Sequence, residues 1–388
     1  SAKRHTTMSR KFKWKVDAEK HVVVWNFERR GWQKTEGNDW NIYWANKQSI
    51  KSMFNPENGV RLTDGQYVNH FPNHYELTRK DLMVKNIKRS VYDRPSPRSP
   101  LFMRSWQEFR RNPNVMWIMK PCSKAQGKGI FIINKLSQTK KWANAKAVEG
   151  YVVSRYIENP LLIGGKKFDL RIHVWGLLCL DCRLRLGGRC LNVAYYRWFV
   201  VLFVCCIDLT VSTHACDIVQ AFVYSEGFAR FCNVKYSSDI DDMDNPFMHL
   251  TNVAVQKHNE DYNNKHGGKW NIYNLRLYVE ATRGRRPQTV ARRGSLNPLD
   301  VSKRALCQVN ASPSLTTTTI EDRNMKSRLL RDVLELAVVN DAVDQRRSFQ
   351  PPELSATNGF EWLINEASVL EAEKLHKKAS RRNATEWR

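Results

Sequence analysis

The sequence has no apolar run long enough to cross a bilayer. The best candidate, Trp198–Val211, is interrupted by Asp208 and falls short of the ~20 residues a membrane helix needs, so no membrane anchor is expected. A Walker loop is also missing: no G-x-x-x-x-G-K-[ST] occurs. The N-terminus is basic without an apolar stretch, which argues against a secretory signal. Nine cysteines form no regular framework, and Cys179-Leu180-Asp181-Cys182 has no second pair to complete a zinc site. A reducing intracellular compartment without disulfides is therefore expected. Carboxylates are scarce as well, with 38 Asp and Glu against 63 Lys and Arg. The net charge of +25 favours an acidic partner: nucleic acid, an anionic membrane or an acidic protein tail. Charge is the only feature that suggests nucleic acid, because no recognition motif accompanies it.

What is present is enough apolar residue, 42% of 388, for a real core and two or three domains. The most informative stretch is Trp117–Phe131, W-I-M-K-P-C-S-K-A-Q-G-K-G-I-F. It predicts a strand ending at Lys120, with Pro121 stopping the pairing, then a polar loop closed by Gly127 and Gly129, then a strand Ile130–Ile133. Such a hairpin tip carries bare backbone N–H groups and three lysines. It suits a triphosphate, because glycine lets the backbone approach and turned N–H groups bind anions. A plain surface hairpin with solvated lysines fits the same residues.

Elsewhere, Ser1–Lys15 reads as a mobile basic tail, and Val22–Trp25 and Trp40–Trp44 as short strands of a small α/β unit. A helix is expected from about Asn73, capped by that residue with Glu76 closing a capping box. Leu77, Val84 and Ile87 share its apolar face, and Arg79, Lys80, Lys85, Lys88 and Arg89 decorate the rest, as a solvated surface or an acidic docking site. Ser90–Pro100 reads as a linker, Tyr151–Ile157 and Met248–Lys257 as strands, and Gly359–Ala379 as an amphipathic helix. In Gly164–Val174, period-two alternation sends Phe168, Leu170, Ile172 and Val174 inward and Lys167, Asp169, Arg171 and His173 to the other face. That second face is either a wet sheet surface with an Asp–Arg pair or an active-site wall whose cations meet phosphate. Gln308–Ser314 predicts a short strand and turn, in which an Asn carbonyl could ligate Mg²⁺.

Taken together, five runs resemble the tubulin tyrosine ligase-like family, and its polyglutamylase branch most. They are N-H-F-P-N-H-Y-E-L-T-R-K-D-L-M-V-K-N-I-K-R, W-I-M-K-P-C-S-K-A-Q-G-K-G-I, N-P-L-L-I-G-G-K-K-F-D-L-R, H-L-T-N-V-A-V-Q-K-H and V-N-A-S-P-S-L. The resemblance implies a mixed α/β (α+β) ATP-grasp fold clamping ATP and Mg²⁺. It implies a small N-terminal domain over 1–75, a central lobe over 76–175 and a C-terminal lobe over 221–338, with a tail over 339–388. It also implies the reaction: a tubulin glutamate carboxylate is phosphorylated by ATP, and the amine of free glutamate attacks the acyl phosphate to leave an isopeptide bond. By family position, ATP would meet Lys120, Gln126, Gly127, Lys128, Gly129, Ser154, Arg155, Tyr156, Ile157, Lys167 and Asp169. Arg171 and Lys257 would be catalytic, and Arg230, Thr251 and Asn252 would contact glutamate or its acyl phosphate. The partners implied are acidic tubulin tails and other subunits of a polyglutamylase complex, with no nucleic acid or membrane. The implied location is the cytoplasmic cytoskeleton, at a ciliary axoneme or basal body.

Two segments depart from the family. Gly176–Gln220 interrupts the pattern, and its clustered cysteines and lack of periodicity look like translated non-coding sequence. Arg283–Leu306 is basic and turn-rich where a long helix and a strand with a metal-binding Asp are expected, and Gln308 stands where a metal-binding Glu is expected. Asn310 is then the one expected metal ligand that remains. The alternative reading is thus a catalytically impaired member serving as a microtubule-binding or scaffold subunit.

Overall fold

The computed structural model describes most of residues 11–338 together with 358–365; the longest stretches outside the description are 1–10, 94–108, 139–149, 206–217, 284–307, 339–357 and 366–388. A parallel unit begins the chain: β1 (Lys13–Val16), helix α1 (His21–Arg29), β2 (Gln33–Lys34) and β3 (Ile42–Trp44), followed by α2 (Lys47–Met53) and β4 (Tyr67–Val68). Lys13–Lys15 therefore belong to a strand rather than to the expected tail, because Phe12 and Trp14 alternate into the core. Val22–Trp25 is helical instead of extended. Val22, Val23 and Phe27 lie on one face, each 1% exposed, and that packing outweighs the β preference of three valines. The helix stops at Gly31, whose φ of 71° permits the amide of Gly31 to reach the Glu28 carbonyl and that of Trp32 to reach Phe27.

Helix α3 (Tyr75–Thr78) has no side-chain cap, Asn73 lies outside the described residues, and Glu76 accepts from Asn86 instead of closing a capping box. Helix α4 (Lys80–Asp93) runs through the first residues of the expected linker at Ser90. Next comes a three-stranded antiparallel sheet, with β5 (Trp117–Pro121) between β6 (Phe131–Ile133) and β7 (Tyr151–Arg155). One face holds Trp117, Met119 and Ile133 against Phe109; the other holds Ile118, Ile132 and Tyr156 against Met243.

The main sheet has eleven strands. After β8 (Leu162–Ile163), β9 (Lys166–Cys179) runs through it; a small hairpin, β10 (Arg185–Leu186) and β11 (Arg189–Cys190), precedes β12 (Arg197–Cys205). β13 (Ile218–Phe231) pairs antiparallel with β9 on one side and with β14 (Lys269–Asn271) on the other. Helices α5 (Pro246–His249) and α6 (Val253–Gln256) occupy the stretch expected as a strand at Met248–Lys257. Asn245 caps α5 and Pro246 sits at its first position, signals that outweigh the apolar run. Helix α7 (Ile272–Arg283) precedes β15 (Gln308–Asn310), and helix α8 (Ile320–Ala337) packs on α1. Finally β16 (Phe360–Asn365) pairs with β13, a strand where an amphipathic helix was expected. Phe360 is drawn there by Trp175 and Tyr224, and the rest of the expected helix lies outside the described residues.

β12 comes from the atypical segment, yet it pairs with β9 along eight positions and with β15 and β4 on its other edge. It joins the N-terminal parallel strands to the rest of the sheet.

Candidate functional site

The glycine loop leaves β5 later than expected. Pro121 stays in the ladder opposite Tyr151, because there the bond is made by the next amide, from Cys122 to the Gly150 carbonyl at 2.9 Å, and no N–H is asked of the proline. Beyond it, Gln126, Gly127 and Gly129 take φ values of 64°, 83° and 71°. These left-handed turns make a concave backbone of the type that binds anions, so the loop fits a phosphate chain. A Cβ on Gly127 would stand 3.1 Å from the Asn252 Oδ1 and the Val255 Cγ2, so the tip lies against the start of α6 and only glycine fits. Lys120 is half-buried, and Gln126 and Lys128 are exposed.

Lys80 holds this loop from behind. The sequence placed it among solvated lysines, but it is 6% exposed, and its Nζ donates to the carbonyls of Pro121 at 2.9 Å and Lys124 at 2.8 Å. Nothing in the local pattern separates it from its neighbours; only the fold does.

Thr251, next to the Asn252 that the loop tip meets, leads to the polar face of β9. Arg230, opposite Asp169 on β13, donates from Nε to Oδ1 at 3.0 Å and from Nη2 to Oδ2 at 2.7 Å. The Arg171 Nη2 lies 3.1 Å from the same Oδ2, and the Arg230 Nη2 also reaches the Thr251 Oγ1 at 3.4 Å. Two guanidiniums thus share one carboxylate in a largely buried row, which carries net positive charge toward an anionic ligand. Lys269 on β14 continues the row, with Asp322 and Lys326 beyond it. His173, next in the alternation, is covered beside Asp322 and Lys326 and offers no open surface to a ligand. It is fully buried, and burial pushes its pKa down to about 3, so it is a neutral core residue.

The Lys167 Nζ donates to the Tyr156 hydroxyl at 2.8 Å, linking the wall to the end of β7. Ser154 is buried, Arg155 is exposed and Ile157 half-buried. Asn252 opens α6 beneath the loop tip, whereas Lys257 is exposed at the far end of that helix. His249, another residue the sequence did not single out, contacts Tyr156.

Among the described residues the donors do not fit Mg²⁺. Gln308 and Asn310 bring neutral amides, and among the described residues no group of three or more His, Cys, Asp or Glu could hold a metal ion.

The sequence pattern of the tubulin-tyrosine ligase family matches residues 60–177 and 210–293, with a break that falls within the atypical segment. The probable alpha-tubulin polyglutamylase Ttll1 of Tetrahymena thermophila is 35% identical, over 96% of this chain and 95% of its own length. The probable tubulin polyglutamylase ttll-9 of Caenorhabditis elegans is 29% identical over 89% of this chain and 83% of its own. Human tubulin polyglutamylase TTLL5 is 31% identical over 62% of this chain but only 16% of its own length.

Proposed function

The chain belongs to the tubulin-tyrosine ligase family, and from that premise we propose that it is an ATP-dependent tubulin polyglutamylase. It joins the amine of free glutamate to a glutamate side chain in a tubulin tail. The observation that carries this reading is that the Arg171–Asp169–Arg230 row reaches Thr251, while the left-handed glycine loop lies against the adjacent Asn252. ATP supplies the phosphoryl group that turns a carboxylate, a poor electrophile, into one an amine can attack. The loop amides, Lys120 and Lys167 bind the phosphates, and Arg171 neutralises charge where the phosphoryl group moves. Arg230, fixed by two bonds to Asp169, aligns the incoming glutamate together with Thr251 and Asn252. The net charge of +25 supports acidic tubulin tails as the acceptor. Partner subunits of a polyglutamylase complex, and a ciliary axoneme or basal body as the place of action, rest on family resemblance.

A second reading, a microtubule-binding subunit with impaired catalysis, is favoured by one observation: the neutral donors Gln308 and Asn310 on β15. The test assays labelled glutamate incorporation into tubulin by the chain and by Gln308→Glu. Incorporation by the chain, lost when tubulin tails are trimmed, supports the ligase. Binding to microtubules without incorporation, with activity appearing only in Gln308→Glu, supports the second reading.

A further inference from the structure

Tyr156 sits at the meeting point of the two sheets, 3% exposed, and its hydroxyl meets Lys167 and His249, with the Tyr236 hydroxyl also beside it. The Lys167 ammonium donates to it at 2.8 Å, and the His249 Nδ1 lies 2.8 Å away on the other side. The other ring nitrogen of His249, Nε2, lies 3.0 Å from the Asp242 carbonyl. An ammonium can only donate, so the tyrosine oxygen accepts from Lys167. A carbonyl can only accept, so a ring hydrogen of His249 sits on Nε2. Burial holds the His249 pKa below the ordinary value and favours the neutral ring, whose lone pair on Nδ1 then takes the tyrosine hydrogen. Tyr156 and Tyr236 pack edge-on against the ring at 5.5 and 6.0 Å, and Tyr236 is itself tied to the Glu158 carbonyl at 2.6 Å. The ring cannot turn without breaking both bonds.

We propose that His249 is a positioning residue that, through the Tyr156 hydroxyl, fixes the Lys167 ammonium in the place where it meets an ATP phosphate. This rests on the nucleotide reading above. Lys167 has a flexible four-carbon stem; its ammonium lies over the Tyr156 ring, 4.1 Å from the centroid, and the bond to the hydroxyl adds a direction to that contact. With it, the ammonium is held on the side of the wall that also carries Asp169 and Arg171.

The experiment measures ATP affinity by calorimetry, thermal stability, and the ring-nitrogen shifts of His249 in histidine-labelled protein. Tyr156→Phe keeps the ring packing and removes only the hydroxyl. It is expected to weaken ATP roughly tenfold with little change in melting temperature. His249→Ala should weaken ATP similarly, and the double variant no further, because the two act in series. His249→Gln, which offers an acceptor and a donor at similar reach, should recover most of the loss. Unchanged ATP affinity in Tyr156→Phe, or effects that add in the double variant, would overturn the relay. If the unmodified chain binds no ATP, the nucleotide reading fails and the relay is judged on the shifts alone. A change in the shift of the unprotonated His249 Nδ1 in Tyr156→Phe, with the hydrogen kept on Nε2 by the Asp242 carbonyl, supports it, and an unaltered Nδ1 overturns it.

Discussion

The glycine loop and the β9–β13 wall both gather cations, but they hold them differently. In the wall, Arg171 and Arg230 are largely buried and share Asp169, so their geometry is set before any ligand arrives. In the loop, Lys128 is exposed and Lys120 half-buried, and what is fixed is the backbone, through positive φ and the Lys80 bonds to two carbonyls. A buried guanidinium needs a counter-charge, whereas an exposed ammonium is satisfied by water until a phosphate replaces it. The wall therefore couples function to stability, and the loop separates them.

Asp169→Ala tests that coupling with the largest effect. Removing one partner from a buried charge pair costs about 3–5 kcal/mol, and here two arginines lose it together. Urea unfolding should show a loss of that size, alongside abolished glutamate incorporation. A midpoint close to that of the unaltered protein would show that the wall is solvated and that the contrast with the loop is false.

Lys120→Ala is the counterpart in the loop. The loss of a charge-assisted contact to phosphate should weaken ATP about a hundredfold, or ~2–3 kcal/mol, while the unfolding midpoint stays in place. Unchanged ATP titration would remove Lys120 from the nucleotide site.

The same contrast governs what could be read from the sequence. The hairpin, the alternation on β9 and the short strand at Gln308 were legible because each depends on local pattern. Val22–Trp25 was not, since its helical state is fixed by Phe27 and by Leu329, Leu330 and Val333 of α8, some three hundred residues away. Met248–Lys257 was misread as a strand although the Asn245-Pro246 start signal was present. Lys80 and His249 were missed for a third reason: their partners are backbone carbonyls and a tyrosine brought near by the fold, and no spacing encodes that. Phe360–Asn365 carries a helix-like apolar spacing but is claimed by the open edge of β13.

Acid tests the buried histidines, His173 beside Asp322 and Lys326 and His70 beside His74 and Lys47, with a smaller effect. His173 is pushed down to about 3 and His70 to about 4, from 6.5, chiefly by burial. Between these values and 6.5 the unfolded chain binds more protons than the folded one, so stability rises with pH through that window and falls as acid is added. Each such histidine contributes about 1.4 kcal/mol per pH unit once the pH is well below 6.5. His173 faces Lys326, which opposes its protonation, and Asp322, which favours it. His173→Phe should flatten the fall in stability between pH 6 and 4.5, and an unaltered slope would show that His173 is reached by water.

The smallest expected effect belongs to Lys80→Met, and it probes the separation between function and stability in the loop. Methionine fills much the same buried space but removes the ammonium, leaving the carbonyls of Pro121 and Lys124 without that donor. Bonds from a charged donor are worth ~1.5–3 kcal/mol, and less at Lys124, which is exposed, so that water can take the place of the ammonium at its carbonyl. Removing a buried charge returns part of the loss, since desolvation of the ammonium no longer opposes folding. Stability should therefore change little. The loop leg between Pro121 and Lys124 is then no longer tied to α4, so the left-handed turn at Gln126 and Gly127 must be ordered by the ligand itself. ATP affinity should fall about fivefold, and the amides of Lys128 and Ile130, which bond back across the tip, should exchange faster in the protein without ATP. Lys80→Arg keeps a donor and should retain slower exchange. If Lys80→Met unfolds the protein while Lys80→Arg does not, the lysine is part of the core in the way Asp169 is part of the wall, and the loop is no more independent of stability than the wall.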